Sequence, residues 1–171
     1  MKLTLFLFLL FAVLAAPAQS LKKFAISNSG CSMESYCTPK FKTDFSEDSS
    51  TVYTGECVSG NITYGVICVK LLNPVTNLVM AEDLMKSYLD FLKGSFDITK
   101  TAGFEKNLLL NDNRETRGVM EYWEDKSGDK WKIKSWTDGN FIGFMYAYSN
   151  KALPEDKVNA FLDGFKFPEK K

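Results

Sequence analysis

Residues 118–148 read GVMEYWEDKSGDKWKIKSWTDGNFIGFMYAY. Apolar and polar side chains alternate through three runs, separated by Ser127-Gly128 and Asp138-Gly139. Period-two alternation sends successive side chains to opposite faces of a sheet, and Asp-Gly between two such runs is the strongest short hairpin signal. The segment therefore predicts an antiparallel meander with strands near 117–124, 130–137 and 140–148. Reading both Gly-containing pairs as two-residue loops fixes a register. Trp123 then lies opposite Lys132, Glu121 opposite Lys134, Val119 opposite Trp136, Trp136 opposite Phe141 and Lys132 opposite Met145. One face collects Met120, Tyr122, Trp131, Ile133, Ile142, Phe144 and Tyr146, and reads as core. The other carries Val119, Glu121, Trp123, Lys132, Lys134, Trp136, Phe141 and Met145, a mixture of large apolar area and three charges.

Working outward, the C-terminal side starts a helix at Pro154 with Glu155 and Asp156 behind it, and Val158, Phe161, Leu162 and Phe165 form one stripe to about residue 165. On the N-terminal side a strand is expected over 104–110. Before it, Ala81, Leu84, Met85, Tyr88, Phe91 and Leu92 recur with helical period over 78–96, with Asn77 as N-cap and Gly94 near the end. Earlier still, strands are expected at 34–43, 51–57 and 62–72, the last two joined across Ser59-Gly60-Asn61. The element order is βββ-α-ββββ-α, with no repeat and no second domain.

The first eighteen residues carry Lys2, the apolar run LTLFLFLLFAVLAA and an Ala16-Pro17-Ala18 cleavage pattern. They read as an export signal, and the run is shorter than the roughly 20 residues a membrane span needs. The expected localisation is secreted or periplasmic, with residues 19–171 as a single α/β domain and no stable membrane insertion after removal of the signal. The formal charge is zero, and Arg114 and Arg117 are the two arginines among 21 basic residues. Neither nucleic acid nor an anionic membrane is an expected partner on that balance.

Cys31, Cys37, Cys57 and Cys68 are an even set in an exported chain, so two disulfides are expected, with three connectivities open. With Gly60-Asn61 as a two-residue loop, Cys57 lies opposite Tyr64 and Cys68 opposite Tyr53. That separates the two cysteines by some 13 Å along the strand at ~3.3 Å per residue, too far for a bridge. If the preceding hairpin turns near Glu47, Cys37 faces Cys57, leaving Cys31 for Cys68.

The element order, the aromatic meander of 118–148 and the closing FLDGFKF resemble the PsbP-like superfamily. The resemblance implies an α/β/α sandwich with a mostly antiparallel central sheet. It also implies non-catalytic association with other macromolecules, and it assigns no site residue.

Absence of histidine removes Ser-His and Cys-His pairs and HExxH zinc sites. No phosphate loop or nucleophile elbow occurs, and no metal or cofactor is expected. The best reading is a non-catalytic binding module contacting a protein or envelope component. It would use Trp123 and Trp136 as an aromatic platform with Lys132, Lys134 and Glu121 as polar handles, or the polar loop LNDNRETRG (110–118) with Arg114 and Arg117. Against the platform stands an ordinary covered strand with a Glu121–Lys134 ion pair. Two other readings are a carboxylate-dependent hydrolase using Glu121 with Glu124 or Asp125, and a carrier of a small apolar ligand. Asn61-Ile62-Thr63 is a glycosylation sequon, and WEDKSGDKW lacks the ligand spacing of a calcium loop.

Overall fold

A computed structural model describes residues 20–169; the expected export signal, 1–18, lies outside them. The chain is mixed α and β. Strands β1 (Lys22–Ala25) and β2 (Ser32–Ser35) form a separate hairpin. Then come β3 (Lys40–Phe45), β4 (Thr51–Ser59), β5 (Ile62–Lys70), α1 (Leu78–Ser95), β6 (Ile98–Leu110), β7 (Asn113–Asp125), β8 (Lys130–Thr137), β9 (Phe141–Ser149) and α2 (Glu155–Leu162). Strands β3 to β9 make one sheet in the order β3-β4-β5-β9-β8-β7-β6, with every pairing antiparallel.

The order differs from the expected βββ-α-ββββ-α in its first part. The single strand expected at 34–43 is the end of β2, a link and β3, and the polar lead before it supplies β1. Short strands with mostly exposed side chains carry little period-two signal. The β4–β5 hairpin follows the sequence reading: Cys57 pairs with Tyr64 and Cys68 with Tyr53.

Helix α1 forms where expected, its first amides accepted by the Asn77 side chain at 2.9 and 3.2 Å. It buries Ala81, Met85, Leu89 and Leu92 on one sheet face, against Val119, Trp123, Trp131, Ile133, Ile142, Phe144 and Tyr146. Each fully buried large side chain contributes roughly 1.5–3 kcal/mol. Phe91, assigned to the stripe from the sequence, is exposed, because the stripe is centred on Met85 and Leu89. The opposite face packs beneath α2 and the β1–β2 hairpin, where Ile26, Met33, Tyr64, Val66, Met145, Val158, Phe161 and Phe165 meet. Phe165 follows the helix rather than ending it; it lies over Gly143 and stacks on Trp136 at 6.1 Å.

Cys37 and Cys57 form a disulfide, tying the exit of the first hairpin to β4. Cys31 and Cys68 are buried thiols. No helix among the described residues is long and apolar enough to cross a membrane.

Candidate functional site

The meander forms, but one of its turns is a residue longer than Ser127-Gly128 suggests. Asp125 pairs with Asp129 around three residues, Lys126 to Gly128, and Gly128 takes φ +89°. Asp125 Oδ1 accepts the amides of Ser127 at 2.8 Å and Asp129 at 3.1 Å, which stabilises the longer loop. Tyr122, rather than Trp123, therefore pairs with Lys132. A one-residue slip exchanges the faces of a whole strand. The second turn is also longer than expected, with Thr137 paired to Ile142. That slip is two residues, so the faces of β8 and β9 relative to one another are as the sequence implies.

The consequence is a different arrangement of the expected site residues. Glu121, Trp123 and Val119 lie on the α1 face, whereas Lys132, Lys134 and Trp136 lie on the α2 face with Met120 and Tyr122. The two tryptophans, 3% and 2% exposed, do not make a shared platform. Trp123 Nε1 donates to Glu121 Oε2 at 2.6 Å, and Lys93 from α1 pairs with the same carboxylate at 3.0 Å while lying 5.7 Å from the Trp123 ring centre. Burial alone would lower the Lys93 pKa, but its hydrogen bonds to Glu121 and Asp90 outweigh that and raise it. The expected Glu121–Lys134 pair is thus replaced by Glu121–Lys93 and Lys134–Asp163.

Lys132 is buried beneath α2, where its ammonium pairs with Glu155 at 2.7 Å and sits 4.9 Å from the Tyr122 ring centre. Desolvation opposes its charge, and the Glu155 and Tyr122 contacts overcome it, so its pKa is raised. Glu124 lies at the exposed end of the same hairpin between Lys100 and Lys130; their hydrogen bonds bring its carboxyl down to about 2.

The segment 110–118 is not an open loop. Asn111 and Asp112 both take positive φ, +52° and +59°, and connect β6 to β7 as a two-residue hairpin turn. Arg114 is exposed on β7. Arg117 turns its guanidinium back onto the carbonyls of Arg114 and Thr116, at 3.1 and 2.8 Å.

Where this hairpin tip approaches the C-terminal end of α2, a cleft of about 230 Å³ opens. Leu108, Leu109, Leu110 and Trp136 supply its apolar surface, and Asn111, Asp112 and the Lys134–Asp163 pair its polar rim. Lys134 and Trp136 come from the sequence-derived set; Leu108, Leu109 and Asp163 do not. The run of three leucines beside Asn-Asp was the available signal: a type I′ turn leaves at least one of them facing outward. A second cavity of about 220 Å³ lies between Lys70, Leu71, Pro74, Phe141 and Pro168.

The carboxylates of the hydrolase reading are held by protein groups. Glu121 is engaged as above, and Asp125 takes the turn amides and Trp131 Nε1 at 2.9 Å. The sequon residue Asn61 donates its side-chain amide to Ser149 at 2.8 Å. Among the described residues no group of three or more His, Cys, Asp or Glu side chains is placed to hold a metal ion. No protein-family model matches the chain, and no curated protein or solved structure matches it.

Proposed function

We propose that the chain is an exported, non-catalytic binding module that grips a protein partner at the cleft between the β6–β7 tip and α2. One observation carries this reading: a recess of mixed lining, in which Leu108, Leu110 and Trp136 meet Asn111, Asp112 and the Lys134–Asp163 pair, with Leu109 38% exposed beside it. Enclosing small-molecule pockets run about 300–1,000 Å³, so a cleft of about 230 Å³ suits one or two side chains of a partner better than a free ligand. A mixed apolar and polar lining is also usual for a protein–protein contact. The small volume of the cleft weighs against the apolar carrier, and the engagement of Glu121 and Asp125 weighs against the hydrolase.

Export is supported by the leader pattern of residues 1–18 and by the Cys37–Cys57 bridge. The packing of α1 on one sheet face, and of α2 with the first hairpin on the other, supports the layering of an α/β/α sandwich and hence the PsbP-like resemblance. The test is co-purification from cross-linked cells of the native host. Leu109→Asp should lose the partner recovered with the wild type, whereas Phe91→Asp, on the outer side of α1, should retain it. Equal recovery with both variants overturns the proposal.

A further inference from the structure

Two thiols lie outside the bridge already described. Cys31, in the turn between β1 and β2, is 2% exposed, and Cys68, on β5, is fully buried. Their sulfurs are 3.4 Å apart. The surroundings are tight. Tyr53 on β4 and Gly143 on β9 flank Cys68 on either side, and Ser29 Oγ accepts the Cys31 amide at 3.0 Å. The hydrogen bond to Cys31 and burial both push the Cys68 thiol well above its ordinary range. Exchange requires a thiolate and an open approach to sulfur, and the folded site offers neither.

The position of the pair gives it a structural consequence. The β1–β2 hairpin buries Ile26 and Met33 in the α2-side core. Its backbone also bonds to the segment after α2, through Ser32 with Lys166 and from the Glu34 amide to the Gly164 carbonyl. The Cys37–Cys57 bridge holds the exit of this hairpin to β4. A bond from Cys31 to Cys68 would hold its turn to β5, so the hairpin would be fastened at both ends.

We propose that Cys31 and Cys68 are a second cross-link site, closed by exchange with an external disulfide while the chain folds and sealed once the hairpin has docked. One cysteine thiolate attacks the external disulfide, forms a mixed disulfide and releases one external thiolate. The other cysteine, as thiolate, attacks the protein sulfur of that mixed disulfide and releases the second external thiolate. Both cysteines are oxidised, the external disulfide is reduced to two thiols, and the cysteine protons pass to the released thiolates. The folded protein therefore records whether an oxidant was present during folding.

The test uses chain refolded from denaturant with either an oxidised–reduced glutathione pair or reduced glutathione alone. Peptide mapping after alkylation should find Cys31 linked to Cys68, alongside Cys37 to Cys57, in the first sample. Protein folded reduced and then given the glutathione pair should form the Cys31–Cys68 link on the order of 100-fold more slowly than it does in denaturant, because exchange must await local opening. The Cys37→Ser/Cys57→Ser variant should close the same link on oxidative refolding. The proposal fails if Cys31 and Cys68 stay alkylable after oxidative refolding, if other pairs form in their place, or if folded and unfolded dithiols oxidise at equal rates.

Discussion

Glu124 sits half-buried between the exposed Lys100 and Lys130, and their hydrogen bonds lower its pKa from 4.5 to about 2. A carboxyl whose folded pKa is depressed binds protons more readily in the unfolded chain. Its stabilising contribution is therefore complete above pH 4.5 and is lost as the pH falls to about 2. Pairing with these exposed lysines is also screened by salt. Glu124→Gln should flatten the part of the stability–pH curve between those limits, and high salt should shrink the difference from wild type; urea midpoints measured across that range check both. Glu121 differs in being buried. Glu121→Gln leaves the Trp123 indole an acceptor but strips Lys93 of its buried counter-charge. A loss of about 1–3 kcal/mol in urea denaturation is expected, with partner recovery unchanged. At this scale the sequence conveyed which side chains were large or charged, but their partners depended on a register that no single residue encodes.

That register is set in the turns. The β7–β8 turn holds one residue more than its Ser-Gly pair suggests, because the Asp125 carboxylate accepts amides across a three-residue loop. The β8–β9 loop is held open from outside: Val75 and Leu71 donate to the carbonyls of Gly139 and Asn140 at 2.7 and 3.0 Å. Contacts of that kind are made by a distant linker and leave no local trace. The positions of β4, β5, β8 and β9, the α1 cap and the β4–β5 pairing were legible because each rests on adjacent residues, whereas the short β1 to β3 and the starts of β6 and β7 were not. The cleft was half legible: Lys134 and Trp136 stood out, whereas Asp163 joins it only through the packing of α2.

Two glycines separate conformational from steric cost at the level of elements. Gly128 has φ +89° and open space around its missing Cβ, so Gly128→Ala should cost about 1 kcal/mol from backbone strain alone. Gly143 lies under the Phe165 ring, whose nearest atom would be 2.4 Å from an added Cβ. Gly143→Ala should therefore cost about 1–3 kcal/mol by displacing Phe165 from Trp136. Denaturation midpoints give the totals, and near-ultraviolet circular dichroism should change for Gly143→Ala only.

Across the whole molecule, α1 covers one face of the sheet, while α2 and the first hairpin cover the other. The Cys37–Cys57 bridge spans 20 residues, and replacing both cysteines by serine should lower stability by about 3 kcal/mol, measured without reductant. Closing Cys31 to Cys68 in the form that already carries the nested Cys37–Cys57 bridge ties off a loop of roughly 17 residues, and should add about 3 kcal/mol on the same chain-entropy argument. With both faces covered, the cleft beside the β6–β7 tip sets leucine side chains beside charged ones in a recess rather than on a convex helix. Its role is tested most directly by placing a photocrosslinking phenylalanine analogue at Leu109 and, separately, at Phe91 in the native host. A discrete protein adduct is expected from position 109 and none from position 91; no adduct from 109, or the same adduct from both, would overturn the assignment of the cleft.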